Sequence, residues 1–115
     1  MSVINLTKFR ITPELQGFGV TDLSLWKEFQ EIRNLLFFCA PPTSELVAQR
    51  VERLGAIALA ESKRTGCTKV LISCPPWVAH ALCRELLYHG LQPVVSFTRK
   101  TQESGLTVVD LVTAA

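Results

Sequence analysis

The sequence predicts an α/β fold: a three-layer sandwich around a mostly parallel sheet, with a C-terminal antiparallel hairpin at its edge. Three observations lead there. Short apolar, strand-like segments alternate with longer segments of helical periodicity, the pattern of strands joined by crossover helices. Three of the strand segments run into small polar residues: Asn5-Leu6-Thr7-Lys8, Ile72-Ser73-Cys74-Pro75-Pro76-Trp77 and Val95-Ser96-Phe97-Thr98-Arg99-Lys100. Those strands are apolar on both faces, as in a parallel sheet covered on each side by helices. The last two strand segments lie too close in sequence for a crossover, so they pair as a hairpin. The chain of 115 residues reads as a single domain, residues 1–115.

Ser2 to Leu6 forms the first short strand. Thr12-Pro13-Glu14 starts a helix with a hydroxyl cap, a proline in the first turn and an acid near the positive helix end; Gly17 and Gly19 stop it. Asp22 or Ser24 is positioned to cap the next helix, where Leu25, Trp26, Phe29 and Ile32 make the apolar stripe. The run Leu35 to Cys39 reads as a strand bounded by Ala40-Pro41-Pro42, with the buried end of the preceding helix as the alternative. Thr43 or Ser44 caps a long helix that turns Val47, Val51, Leu54 and Ala58 inward and ends at Thr65-Gly66. Gly55 within it costs about 1 kcal/mol relative to alanine, and lets a neighbouring helix approach closely.

Lys69 to Ser73 is the clearest central strand. Pro75-Pro76 opens a helix with Val78, Leu82 and Leu86 inward, which ends at Gly90. Gln92 to Thr98 and Thr107 to Val112 are the final strands, joined by turn residues Gln102-Glu103-Ser104-Gly105. Right-handed crossovers would set helices on both faces of this sheet.

Apolar residues make up 48% of the chain, enough for a core without metal or disulfide staples. Charged residues are only 19%, below the usual quarter or so, and this favours a self-association surface and a homodimer. Twelve basic and ten acidic residues give a net charge of +2 with no basic stripe, which argues against a long nucleic acid as partner. A small anionic ligand needs only two or three local cations. Cys39, Cys67, Cys74 and Cys83 form no Cys-x-x-Cys pair and read as reduced, mostly buried thiols of a cytoplasmic protein. The start Met-Ser-Val-Ile-Asn does not have the make-up of a signal peptide, and no apolar stretch is long enough to span a bilayer. His80 and Cys83 share a helix face but lack a second ligand pair, so neither a metal nor another cofactor is expected. Cys74 and His80 have the residue types of a nucleophile pair, but spacing does not show that they meet.

Ligands of parallel sheets bind beyond the carboxyl ends of the strands. The candidate ligand-binding residues are therefore Asn5 and Thr7 after the first strand, Ser73 and Trp77 after the central one, and Ser96, Thr98 and Lys100 along the next. Lys8 and Arg99 are the candidates for charge stabilisation. Arg99 suits a bidentate phosphate contact, Lys100 a point charge and Trp77 stacking on a base. Pro75 and Pro76 remove two backbone donors, so this turn is a poor diphosphate cradle. Each feature has a plainer reading. Pro-Pro-Trp starts and packs a helix, Thr98-Arg99-Lys100 is a charged edge that discourages sheet pairing, and His89 is a cation at a helix C-terminus.

The segments Ile4-Asn5-Leu6-Thr7, Ile11-Thr12-Pro13-Glu14-Leu15-Gln16 and Gly19-Val20-Thr21-Asp22-Leu23, with Ser73-Cys74-Pro75-Pro76 and Phe97-Thr98-Arg99 later, resemble a group of small phage- and plasmid-borne proteins. The same layout is similar to small CRISPR-associated single-domain proteins of Rossmann-like fold, relatives of domains that sense cyclic oligoadenylate and in some cases cleave it. Lys8 or Phe9 stands where those groups often carry a histidine, and the final hairpin reads as short. The resemblance implies binding of a cyclic oligonucleotide messenger in antiviral signalling or its evasion. It also implies metal-independent cleavage through the ligand's own 2′-hydroxyl, with Lys8 and Arg99 for charge and Thr7, Ser73 and Thr98 orienting the sugar-phosphate. A non-catalytic interaction protein is the alternative, using an apolar patch of Phe18, Leu25, Trp26 and Phe37. An ordinary small-molecule or nucleotide-binding domain is the third reading.

Overall fold

The computed structural model describes residues 2–101 and 105–114, with residues 100–101, 105–107 and 109 by their backbone alone; the expected turn at Gln102-Glu103-Ser104 lies outside the described residues. The elements are β1 (Val3–Asn5), α1 (Pro13–Gln16), β2 (Val20–Thr21), α2 (Trp26–Leu35), α3 (Ser44–Thr65), β3 (Lys69–Leu71), α4 (Pro76–Tyr88), β4 (Gln92–Thr101) and β5 (Gly105–Thr113). They form a mixed α/β fold with one sheet ordered β2-β1-β3-β4-β5. The first four strands are parallel, and β5 pairs antiparallel with β4. A mostly parallel sheet with an antiparallel edge hairpin is thus what the chain builds.

Alternation along the strands divides the core in two. Ile4, Leu6, Val70 and Ile72 pack with Phe29 and Ile32 of α2, Leu54 and Ile57 of α3, and Val78, Leu82 and Leu86 of α4. Val3, Val20, Leu71 and Val94 form a smaller cluster on the other face, with Ile11, Leu15 and Leu111 against it. The three longer helices therefore share one face, and the four-residue α1 supplies Leu15 to the other.

Two expectations are corrected. The run Leu35 to Cys39 is not a strand: Leu35 ends α2, Leu36 is its buried C-cap, and Phe37 is 65% exposed. Ile32 and Leu36 both belong to the core, four residues apart, so the run continues the helical period and then leaves the core at the rim. The sheet edge is taken instead by Val20–Thr21, two residues too short to show a pattern of their own. Nor do Asp22 and Ser24 cap α2, whose N-cap is Leu25 without a side-chain bond. Both have other partners. Asp22 accepts from Asn5, and Ser24 donates its backbone N–H and its hydroxyl to Glu61 Oε2, at 3.2 and 2.7 Å.

Glu61 is a buried carboxylate near the end of α3. Its other oxygen accepts from Arg64 Nη2 at 2.7 Å, and Arg64 also reaches Glu28 of α2 at 2.6 Å. A buried charge must be paired and hydrogen-bonded, and here both oxygens are. The pair Glu31–Arg53 joins the same two helices further along, and the Arg53 hydrogen bond holds the Glu31 carboxyl below its usual range.

Helix ends mostly follow the sequence. Thr12 and Thr43 accept from Leu15 and Leu46 backbone N–H groups. Gly66 ends α3 at φ 79°. After α4, Gly90 at φ 77° lets Leu91 donate to Leu86 O at 2.9 Å and Gly90 to Leu87 O at 3.0 Å, a Schellman closure with His89 as the cap.

Gly55 permits the close approach of α3 and α4. A Cβ there would lie 2.5 Å from Glu85 Cγ. Gly55→Ala gains about 1 kcal/mol of helix propensity but displaces Glu85 from its bond to His89. In the wild-type background the gain should be cancelled or reversed. In a Glu85→Ala background the same substitution should stabilise by about 1 kcal/mol, giving a non-additive cycle in urea denaturation. Additivity of the two substitutions would refute this account of the contact.

Candidate functional site

The carboxyl ends of β1 and β3 are neighbours in the sheet, and the chain leaving each of them builds the rim. After β1 the path is fixed by Asn5. Its side chain donates to Phe9 O at 2.8 Å and to Asp22 Oδ1 at 3.1 Å, and accepts from Thr7 N and Thr7 Oγ1 at 3.1 and 2.7 Å. Asp22 Oδ1 also accepts from Ile11 N, and Arg10 lies 3.8 Å from Asp22 Oδ2. Asn5 is 1% exposed and Thr7 is buried, so both support the rim from below. They turn the next two residues, Lys8 and Phe9, out to solvent.

After β3 the chain passes Ile72, which donates to Val94 O, and then exposes Ser73. Lys8, Phe9, Leu36, Ser73, Cys74 and Pro75 line one hollow of about 280 Å³. Two sequence candidates, Lys8 and Ser73, thus come together between the two central parallel strands. Cys74 and Pro75 belong to the candidate turn after the central strand, whereas the sequence gives no sign that Phe9 and Leu36 line the same hollow. Burial, with a smaller contribution from Cys83, pushes the Cys74 thiol up to about 11, so it is neutral at physiological pH.

Beside the hollow lies an apolar slot of about 420 Å³ lined by Phe38, Cys39, Ala40, Pro41, Pro42 and Trp77. Trp77, in the first turn of α4, is 53% exposed and meets Phe38 edge-on, with ring centres 5.9 Å apart and planes at 79°. Phe38 is held from another side by Arg50, whose guanidinium lies 4.5 Å from its ring centre and donates to the carbonyls of Leu35 and Phe37.

The remaining candidates lie on the hairpin. β4 pairs with β3 only over Gln92–Val94; beyond that it pairs with β5 alone. The arm is longer than the sequence suggested, because β4 continues to Thr101. Register places Ser96 level with Ser73, and Arg99 three residues, or about 10 Å, further out. Arg99 therefore lies further along β4 than the pairing with β3 extends, on the stretch that pairs with β5 alone. Alternation puts Phe97 and Arg99 on the helix-covered side with Val95, and Ser96 and Thr98 on the side of Val94. All four are exposed, and the side chain of Lys100 lies outside the described residues.

The expected interaction patch divides. Leu25 and Trp26 begin α2, whereas Phe37 follows its end, about 16 Å away along the helix axis. Arg10 stacks on Trp26 at 5.1 Å, and Phe18 is half-buried. All four cysteines are free; Cys39 is exposed, against the expectation of mostly buried thiols, while Cys67 is buried and Cys74 and Cys83 are partly so. Among the described residues no group of three or more His, Cys, Asp or Glu could hold a metal ion, and no helix is long and apolar enough to cross a membrane. No family model, no curated protein and no solved structure matches the chain.

Two outcomes follow from this geometry. Iodoacetamide at pH 8 should label exposed Cys39 well before Cys74, whose thiolate fraction there is about one in a thousand; Cys74 labelling should rise towards pH 11 in peptide mass mapping. Fast labelling of Cys74 at pH 8 would show that the hollow is more open than described. Asn5→Asp replaces two donors with acceptors facing Asp22 and Phe9 O, and should destabilise by about 2–3 kcal/mol in urea denaturation, more than Thr7→Val. A near-neutral Asn5→Asp would remove the keystone role of that side chain.

Proposed function

We propose that the rim binds a cyclic oligonucleotide, a cyclic oligoadenylate of CRISPR-type antiviral signalling or its evasion, in a Rossmann-like cytoplasmic protein. The observation that carries the reading is the meeting of Lys8 and Ser73 in one hollow at the ends of the two central parallel strands. An exposed ammonium group and a hydroxyl suit a sugar-phosphate, and the position is where such sheets take their ligands. Trp77 follows the hollow's Pro75 by two residues, and alternation puts Arg99 on the helix-covered side of β4, so a ligand larger than a mononucleotide is needed to reach from Lys8 towards both. A two-fold homodimer would present the rim twice to a ring of matching symmetry.

Turnover would proceed by attack of the ligand's own 2′-hydroxyl on the adjacent phosphorus, its proton passing to solvent water, with the P–O5′ bond breaking, the 5′-oxygen taking a proton from water and a 2′,3′-cyclic phosphate left behind. Lys8 and Arg99 would stabilise the developing charge, and no metal or other cofactor enters the scheme. No carboxylate or imidazole is among the residues lining the hollow, and the Cys74 thiol holds its proton at neutral pH. The arrangement accordingly favours binding over fast cleavage.

A thermal-shift series with cyclic oligoadenylates of several ring sizes tests the reading. A ligand at one hundred times its dissociation constant adds about 2.7 kcal/mol of stability. Lys8→Ala should weaken it by about 1 kcal/mol, and Arg99→Ala should weaken it while changing fold stability by no more than about 0.5 kcal/mol. Arg99→Lys should recover only part of the loss. Equal binding by wild type and Lys8→Ala would overturn the assignment, as would the absence of a shift with every ring size. Sedimentation at micromolar concentration should give about twice the chain mass; a monomer would remove the two-fold site.

A further inference from the structure

We infer that the slot between Trp77 and Phe38 takes one base of that ligand by stacking, and that it selects purines over pyrimidines without distinguishing adenine from guanine. The inference rests on the nucleotide reading of the neighbouring hollow.

The two cavities have no lining residue in common, but the same two chain segments line both. The segment after β3 gives Ser73, Cys74 and Pro75 to the hollow and Trp77 to the slot, and the segment after α2 gives Leu36 to the hollow and Phe38 to the slot. A phosphate held at Lys8 and Ser73 therefore has its base within reach of the slot. The volume of about 420 Å³ falls in the ordinary range of small-molecule sites, roughly 300–1,000 Å³.

The walls differ in freedom. Phe38 is fixed by the Arg50 guanidinium on its ring and by Arg50's hydrogen bonds to the chain on either side of it. Trp77 is half-exposed and touches Phe38 by an edge contact, so it keeps surface free for a stacking partner. A flat ring lying on Trp77 would meet Phe38 nearly at a right angle, the offset and edge-to-face geometry that aromatic groups prefer.

The lining also limits what can be read. Phe38, Cys39, Ala40, Pro41, Pro42 and Trp77 bring no amide, hydroxyl, carboxylate or guanidinium side chain, and the two prolines bring no backbone N–H. Adenine and guanine differ in the donors and acceptors on their edges, and telling them apart takes paired polar groups. Stacking tolerates either and favours the larger ring.

The test uses the Trp26→Phe variant, in which Trp77 is the only tryptophan. Trp77 fluorescence and thermal shift are read with ribose 5-phosphate, adenosine, AMP, GMP, CMP and UMP. AMP and GMP should bind within about threefold of each other, and about tenfold more tightly than CMP, UMP or ribose 5-phosphate, with quenching by the purines. Trp77→Leu, read by thermal shift, should bring AMP down to the affinity of ribose 5-phosphate while leaving ribose 5-phosphate unchanged. If ribose 5-phosphate binds and the bases add nothing, the slot inference falls and the hollow stands. If adenosine quenches Trp77 while ribose 5-phosphate does not bind, the slot stands and the phosphate reading falls. A strong preference between AMP and GMP, or no binding by any probe, overturns the inference.

Discussion

The rim depends on one buried carboxamide. Asn5 ends β1 with an exposure of 1% and uses both ends of its side chain within 3.1 Å of their partners. The bonds tie together two parts of the chain. Phe9 O and Thr7 fix the turn that leaves the strand, and Asp22 brings in the segment after β2. Asp22 in turn accepts from Ile11 N, so the crossing to α1 is held by the same cluster. An amide can do this because it donates and accepts at once; a carboxylate would face Asp22 with like charge, and an alkyl group would leave Phe9 O with Thr7 Oγ1 alone and remove the donor to Asp22. The outward position of Lys8 follows from this inward bonding.

A polar residue at the carboxyl end of a parallel strand has two uses, and the sequence does not say which. Asn5 and Thr7 read as ligand contacts because they are polar and sit where ligands bind. The structure turns them towards the chain itself, while Lys8 and Ser73, which the sequence also offers as candidates, line the hollow. The same ambiguity governs Asp22 and Ser24. Both have the chemistry of helix caps, and both are drawn to stronger partners: Asp22 to an amide and Ser24 to the buried carboxylate of Glu61. Glu61 itself carried no signal, since a glutamate on a long helix is ordinarily solvated.

Where pattern and length agreed, the sequence was a good guide. The α3 and α4 helices combine a sustained apolar stripe, a start signal and a glycine stop, and their ends lie within a residue or two of the expected positions. The strand at Lys69 was legible because both its faces are buried. The Leu35–Cys39 run was not, because five apolar residues fit a buried strand and a helix end equally well. The hairpin was misjudged in length. Alternation continues past Thr98, but the parallel sheet stops pairing at Val94, and only tertiary contact decides where a strand leaves its sheet. That single difference places Arg99 on the stretch of β4 that pairs with β5 alone.

The distribution of charge and aromatic surface gives the rim its character. Lys8 is the cation among the residues lining the hollow, and its ammonium also lies 5.4 Å from the Phe9 ring. Arg10 stacks on Trp26 and Arg50 on Phe38, and neither lines the hollow. A floor with one exposed cation holds a phosphate only weakly, since an isolated ion pair in water contributes at most about 1 kcal/mol. Additional affinity has to come from desolvated flat surface, and the adjoining walls of Phe38, Pro41, Pro42 and Trp77 supply it. Catalysis asks for more than this, because a transition state needs groups whose interaction strengthens as charge develops. The neutral Cys74 thiol beside a single ammonium does not provide that, whereas stacking and one phosphate contact are sufficient for recognition. On the proposed nucleotide reading, this rim suits binding of a base-bearing anion better than its cleavage, with Arg99 on the β4–β5 arm as a group that would add charge once a larger ligand reached it.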